Sequence, residues 1–338
     1  MTKLPSTIKQ LLKLRNPNPP LQPPIPNLNG VLSSTLIDAK RKNAQTAWLV
    51  LATCTLLTAN LPTSVGHLYS FATRKDPADV STRYGLERAV NTAALMRESA
   101  FKSTVFVGVP RVILSLAEFT NALEDDVKAR LPKTLSRTKD MDTIVAHGRI
   151  LWNSIYEPYE DKLHDKLSSC HPDFMAFIIQ AYGSALSPFS VNSDVSRGFS
   201  RGDGSGVDDR GRGGGSEPAS SSQQLSSTPS STTSYTRSFF AGSGTSTDER
   251  GNLSRALTSV VGSACLRAEG GVGPQLTSHV FGLLKARTAE DQGYEMNEED
   301  RWLATDEGTE WVIKTVDSIL DVVAPAQNHP GPETKAKL

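Results

Sequence analysis

Histidine and carboxylate side chains are the groups of this chain that could carry acid–base chemistry. His67 and His279 each stand five residues after a proline, and each precedes an aliphatic and then an aromatic residue. Glu98 lies on a segment of helical periodicity, four residues before Lys102. A histidine paired with a carboxylate can take up and return a proton near neutral pH. We therefore treat His67, His279 and Glu98 as candidate catalytic residues.

Each candidate also has a structural interpretation, which the sequence favours. Helical spacing places His279 on one face with Leu276 and Leu283, and this predicts an inward-pointing side chain that is hydrogen-bonded in the core. His67 is expected to point inward for the same reason. Glu98 and Lys102, at positions i and i+4, are typical of an ion pair on a helix surface.

The cysteines and glycines predict neither a metal site nor a cofactor site. Cys54, Cys170 and Cys265 are few and far apart, which is typical of a reducing compartment. Cys170 and His171 are adjacent, but no second pair of metal ligands follows at a usable spacing. The glycines of "GGVG" follow no strand and lack the spacing of a dinucleotide-binding loop. We predict no metal and no cofactor.

The elements that position these residues are predicted to be helices. Apolar residues recur at spacings of three and four through residues 33–187 and again after residue 252, and no sustained alternation of period two appears. A final helix is expected to bury Trp311, Thr315, Ile319 and Val322 or Val323. The sequence therefore predicts an all-α fold of packed antiparallel helices.

The most apolar run, "AWLVLATCTLLTANL", begins at Ala47. It is too short to span a bilayer and contains several threonines. We interpret it as a buried core helix, and we predict no membrane span.

A repeated pattern indicates two related helical modules. A cysteine within an apolar helix is followed by a break, a proline and a histidine, first from Cys54 to His67 and again from Cys265 to His279. This pattern is typical of a duplicated helix–turn–helix. We assign the first module and its connecting helices to residues 33–187, and the second module to residues 252–325.

Composition predicts three segments without a packed core. Residues 188–251 are dominated by Gly, Ser and Thr, so they are expected to form a disordered insertion. Residues 1–32 form a Pro-rich N-terminal segment, and residues 326–338 form a tail; both are expected to be flexible.

Three stretches in this order carry a resemblance to a known family. They are "RESAFKSTVFVGVPRVILSL", "GRILWNSIYEPYEDKLHDKLSSCHPDFMAFIIQAYGSALS" and "LSRALTSVVGSACLRAEGGVGPQLTSHVFGLLKA". Together they resemble the alkylhydroperoxidase-D-like superfamily, which includes carboxymuconolactone decarboxylases, over roughly residues 44–187 and 252–323. The resemblance implies an all-α fold and a homo-oligomer. A small-molecule ligand is a further partner that the resemblance implies.

Peroxidases of this family carry a Cys-x-x-Cys pair before the histidine, and this chain does not. The corresponding positions hold Val272 and Gln275 before His279, and neither of the positions before His67 is a cysteine. The glutamate that serves the family as a proton relay is absent as well. The resemblance thus implies a divergent member without the thiol-peroxidase centre.

Two functions are compatible with these features. The first is an enzyme that acts on a small organic substrate by acid–base chemistry; it predicts a pocket in which His67 or His279 meets Glu98. The second is a catalytically degenerate helical interaction or scaffold protein. It predicts that these groups lie apart or buried, and that an apolar helix face is exposed.

Charge and terminal residues bear on partners and location. The formal net charge is zero, so no nucleic-acid partner is expected. The last three residues, Ala336, Lys337 and Leu338, are a variant of the Ser-Lys-Leu address and predict recognition by a peroxisomal import receptor. The lysine-rich N-terminus, with no acidic residue before Asp38, leaves a mitochondrial location as an alternative; a cytoplasmic location is the other.

Overall fold

The computed structural model describes residues 4–15, 22–133, 137, 139–188, 250–292 and 294–325. Within these ranges the chain forms helices and no β-strand, which confirms the all-α prediction. In chain order the α-helices are α1 (Ser6–Arg15), α2 (Ile25–Arg41), α3 (Gln45–Thr58), α4 (Pro62–Thr73), α5 (Leu86–Val107), α6 (Val109–Ala122), α7 (Asp125–Arg130), α8 (Met141–Tyr156), α9 (Glu160–Cys170), α10 (Phe174–Ala181), α11 (Arg255–Glu269), α12 (Gly273–Lys285), α13 (Glu298–Leu303) and α14 (Asp306–Val323).

Helices α3 and α11 form the centre of the core. Every residue from Ala47 to Thr58 and from Arg255 to Leu266 is buried. A helix that is apolar on all sides must be surrounded by other helices. The threonines of α3 are compatible with burial because their hydroxyls donate to carbonyl oxygens one turn earlier in the same helix. The structure thus confirms the predicted core helix, and no helix in the described ranges is long and apolar enough to cross a bilayer.

Helices α5 and α14 each pack against both central helices. Helix α14 buries one face, made of Trp311, Thr315, Ile319 and Val323, as its periodicity predicts. Of the two alternatives Val322 and Val323, Val323 is buried and Val322 is only partly buried. The main core is therefore built around α3 and α11, with α5 and α14 in contact with both.

A second, smaller cluster covers one side of this core. It is formed by α8, α10 and the π-helical turn Tyr182–Leu186 that continues α10. Gly148 of α8 and Gly183 of the turn let the two backbones touch, since a Cβ on either glycine would overlap a carbonyl oxygen of the opposite segment. Helix α12 also packs against α8, so His279 lies between the two clusters.

The hairpins α3–α4 and α11–α12 have similar turns. Each turn has three residues, 59–61 and 270–272. The middle residue has a positive φ in both, 58° at Asn60 and 69° at Gly271. The residues before the second helix have φ values of −113° and −114°. The first residues differ, since φ is −66° at Ala59 and 68° at Gly270. Two turns of the same length, alike in φ at their second and third residues, therefore join the two pairs of helices.

The two hairpins correspond residue by residue at a fixed separation in sequence, and the two histidines do not have that separation. A separation of 211 residues relates Cys54 to Cys265, and it also relates the ends of α3 and α11 and the starts of α4 and α12. In this register Leu68 corresponds to His279, whereas His67 corresponds to Ser278. A shift of one residue along an α-helix rotates the side chain by about 100° around the helix axis. The two histidines consequently face different directions relative to their hairpins.

The N-terminal boundary differs from the prediction. Helix α2 begins at Ile25, within the segment 1–32 that was expected to be flexible, and its Leu28 and Leu32 are fully buried. Pro26 does not prevent the helix, because a proline in the first turn has no hydrogen bond to lose. Helical structure also occurs earlier, in α1.

The predicted insertion at residues 188–251 falls outside the described residues, except at its two ends. The predicted tail, including Ala336, Lys337 and Leu338, also falls outside them.

Candidate functional site

His279 lies in the interior, in contact with aromatic side chains. Its side chain is 4 % exposed. The Phe106 ring of α5 is perpendicular to the imidazole, with 5.0 Å between ring centroids. Its Nε2 is 3.4 Å from the hydroxyl of Tyr182, which in turn is 3.0 Å from the hydroxyl of Tyr156. The imidazole is therefore the inner end of a chain of two phenols rather than part of a histidine–carboxylate pair.

The other ring nitrogen of His279 faces helix α11. Nδ1 has no hydrogen-bond partner among the described residues. A Cβ placed on Gly262 of α11 would lie 2.6 Å from this nitrogen, so the ring is pressed against the helix backbone. A substrate atom would have to displace α11 to reach Nδ1.

Electrostatics keep the imidazole neutral. Burial, together with the positive charge of Arg255, lowers the pKa of His279 to about 4. Burial raises the pKa of Tyr182 and that of Tyr156. All three groups are uncharged near neutral pH. A general base is most effective when its pKa is close to the operating pH, and His279 is far from that condition.

Arg255 is a buried cation that the sequence analysis did not identify as a site residue. It is the first residue of α11 and is 1 % exposed. Its guanidinium donates to the hydroxyls of Ser154 and Ser259 and to the carbonyl oxygen of Gly282. Burial lowers its pKa to about 10, so the group is still positive at neutral pH. The signal in the sequence was an arginine at the start of a helix whose next eleven residues carry no charge.

His67 lies elsewhere, between α4 and α2. It is partly buried, and its Nε2 is 2.6 Å from the Oδ1 atom of Asn29. Burial lowers its pKa. No hydrogen bond or ring contact joins His67 to His279 among the described residues. The repeated spacing in the sequence did not bring the two histidines together.

Glu98 is separate from both histidines. Its carboxylate is 2 % exposed and accepts a hydrogen bond from Arg137. It lies two helical turns before Phe106 on α5, which is about 12 Å along the helix axis. The acid–base pair that the enzyme hypothesis requires is thus not formed.

The expected surface ion pair between Glu98 and Lys102 is instead buried. Lys102 is fully buried, 3.7 Å from the Glu98 carboxylate, and it donates to the carbonyl oxygens of Ala185, Leu186 and Ser187. Burial lowers the pKa of Lys102 to about 8. The helical spacing predicted the pair correctly but not its depth, because the segment that covers it is distant in sequence.

The thiols provide no nucleophile beside His279. Cys54 and Cys265 are fully buried in the main core, and burial raises the pKa of Cys54. Cys170 is exposed at the end of α9. A reactive cysteine needs a lowered pKa and access to solvent. Neither core cysteine has that access.

Neither the surface clefts nor the potential metal ligands indicate a second candidate site in the described residues. Two surface clefts, of about 380 and 250 Å³, lie between α2 and α14 and beside α5, α6 and α7; none of the three candidates lines them. No three histidine, cysteine or acidic side chains come together as metal ligands in the described part of the chain.

Comparison with known proteins identifies no relative on which the site could be placed. No protein-family model matches the sequence, and neither the curated proteins nor the solved structures include a match.

Proposed function

We propose that this chain is a catalytically degenerate helical protein that acts by binding, rather than an enzyme. The observation that carries the proposal is the environment of His279. The best catalytic candidate is buried, uncharged near neutral pH and without a carboxylate partner. The resemblance of the chain to the alkylhydroperoxidase-D-like superfamily is part of the proposal. On that view the fold has kept the histidine and has lost the redox cysteines.

An exposed apolar surface supports a binding role. The outer side of α6 exposes Val109, Ile113 and Leu114 by 54, 60 and 51 % of their surface. Pro110 and Ala117 are exposed on the same helix. We call these five residues the α6 face. Contiguous exposed apolar residues are typical of interaction sites.

A second copy of this chain is the partner that we propose for the α6 face. The face carries no charged residue, so two copies related by a two-fold axis could pack without placing like charges together. Such a contact would bury the apolar side chains that are now exposed to water, and this burial would drive association.

The oligomeric state tests this proposal. We expect the full chain to sediment as a dimer at micromolar concentration, and Ile113→Asp to shift it to the monomer. Ile37→Asp is the matched control, because Ile37 is 50 % exposed on α2, away from the α6 face. A wild-type chain that is monomeric throughout, or equal effects of the two substitutions, would refute the α6 face as a self-association surface.

A separate assay tests the loss of catalysis. We expect no peroxidase turnover with lipoyl or thioredoxin reductants, since no thiol pair lies beside His279. Turnover that is present in the wild type and abolished in His279→Ala would refute the degenerate assignment and show a peroxidase activity that depends on His279.

We also propose that Ala336, Lys337 and Leu338 direct the chain to the peroxisomal matrix through the import receptor. The support is the sequence of the tail alone. A fluorescent fusion should lose its punctate location when these three residues are deleted, and an unchanged location would exclude the tail as the address.

A further inference from the structure

Helix α1 and the two residues before it are exposed wherever their side chains are described. Residues 4–12 are all exposed. The apolar ones, Leu4, Ile8, Leu11 and Leu12, expose 42 to 65 % of their surface. Ile8, Leu11 and Leu12 stand at positions i, i+3 and i+4 of the helix, and Leu4 precedes its first residue. This is the spacing of a single helix face.

The charge of this segment has one sign. Lys3, Lys9, Lys13 and Arg15 are basic, and the first acidic residue of the chain is Asp38. The remainder of the chain must carry a net negative charge, since the total is zero. The basic residues are thus concentrated in the stretch of sequence that also contains the exposed apolar residues of α1.

The sequence that follows α1 separates it from the folded core. "NPNPPL", residues 16–21, contains three prolines and no charged residue. The chain meets the core directly after it, where Gln22 accepts a hydrogen bond from Ser64 and Pro23 is buried. A segment of this composition favours an extended spacer, with a reach of about 19 Å at roughly 3.1 Å per residue. Such a spacer allows α1 to meet a surface that the core itself does not touch.

We propose that α1 is a surface anchor that lies on anionic phospholipid bilayers. Ile8, Leu11 and Leu12 would enter the boundary between headgroups and acyl chains, while the basic residues contact the phosphate and other anionic groups of the lipid heads. Charge complementarity favours this occupant over an apolar groove on a protein, because such a groove would leave four cations unpaired. The helix is far too short to span the bilayer.

Flotation of the full chain with lipid vesicles tests the anchor. We expect the protein to bind vesicles of phosphatidylcholine mixed with phosphatidylglycerol, not to bind phosphatidylcholine alone, and to dissociate at high salt. Leu11→Asp should weaken binding by about tenfold or more, since a leucine that enters the bilayer is replaced by a charge. Lys9→Gln should weaken it by about fivefold, the effect expected for one basic residue at an anionic surface.

Ile37→Asp is again the matched control, because it removes an exposed apolar residue outside α1. It should bind mixed vesicles as the wild type does. All three variants should keep the thermal unfolding midpoint of the wild type, since the substituted residues are exposed. Absence of wild-type binding to the mixed vesicles overturns the proposal, as does equal binding to neutral vesicles or equal loss in Leu11→Asp and Ile37→Asp. Failure to bind vesicles, combined with cross-linking of α1 to protein, would assign the helix to a protein partner instead.

Discussion

Cys54 and Cys265 meet in the centre of the core through the hydroxyl of Ser103. The Cys265 thiol donates to Ser103 Oγ at 3.3 Å, and Ser103 Oγ lies 3.4 Å from Cys54 Sγ. The two cysteines occupy equivalent positions of the hairpins α3–α4 and α11–α12, and Ser103 comes from α5. Three helices therefore share one buried polar contact, in a region where an unpaired polar group would be unfavourable.

The burial of this pair predicts selective thiol chemistry. In the native protein only Cys170 should react rapidly with a thiol reagent such as 5,5′-dithiobis(2-nitrobenzoate). All three cysteines should react in denaturant. Cys170→Ser should abolish the rapid phase, whereas Cys54→Ser should leave it intact. A second thiol that reacts rapidly in the native state would mean that the core opens on that timescale.

His279 should make the protein sensitive to acid. Its pKa is about 4 in the folded state and about 6.5 when the chain is unfolded. Its contribution to stability is therefore fully present above pH 6.5 and is lost as the pH falls towards 4, with a total of about 3 kcal/mol. His279→Leu should remove this loss, and leucine is the residue at the corresponding position of the other hairpin, Leu68.

Urea unfolding at neutral and acidic pH measures this effect. The decrease in the free energy of unfolding between the two should be smaller in His279→Leu than in the wild type. His164, whose side chain is 41 % exposed, provides the control, because His164→Gln should leave the decrease nearly unchanged. Equal decreases in wild type and His279→Leu would contradict the neutral, buried imidazole.

Glu299 should give the stability of the fold a pH dependence opposite to that of His279. Its carboxylate accepts the backbone N–H of Ala47, in the first turn of α3, at 2.8 Å. Burial, with a smaller effect of the Asp300 charge, raises the pKa of Glu299 to about 7 from 4.5. The folded state therefore favours the protonated form. The resulting stability is fully present below pH 4.5 and is lost as the pH rises through 7.

The amide of Glu299→Gln can still accept the Ala47 N–H but does not ionise. We expect this variant to lose less stability than the wild type between pH 5 and 8, as measured by chemical unfolding. Glu295→Gln, at an exposed position, should resemble the wild type. If both variants follow the wild-type pH dependence, the raised pKa of Glu299 is refuted.

The contact between α8 and the π-helical turn should tolerate no side chain. A Cβ at Gly148 would overlap the carbonyl oxygen of Ile179, and one at Gly183 would overlap that of Ile144. The overlapped atoms are backbone, so the helices must move apart. We expect Gly148→Ala to lower the free energy of unfolding by about 1–3 kcal/mol or more.

Gly30→Ala is the control for this prediction. Gly30 lies within α2, and a Cβ there would meet nothing within 4 Å. Alanine favours a helix by up to about 1 kcal/mol over glycine, so this variant should be as stable as the wild type or more stable. A neutral effect of Gly148→Ala would show that the two backbones are not in contact.

The sequence by itself determined the properties that depend on local periodicity. The helical class, the buried run from Ala47 to Thr58, the inner face of α14 and the inward direction of His279 all follow from spacings within one helix. The absence of a cysteine pair before His279 was equally visible, because that motif is local. Hydrophobic burial acts on each helix separately, so these predictions did not require knowledge of neighbouring helices.

Only the tertiary structure decided which side chains meet. It placed His67, His279 and Glu98 in separate environments, surrounded His279 with Tyr182 and Arg255, and buried the pair of Glu98 and Lys102. These outcomes depend on contacts between segments far apart in the chain and on the register of two turns, where one position rotates a side chain by about 100°. Spacing within a helix carries no information about the segment packed against it, and that segment determines whether a histidine can act as a base.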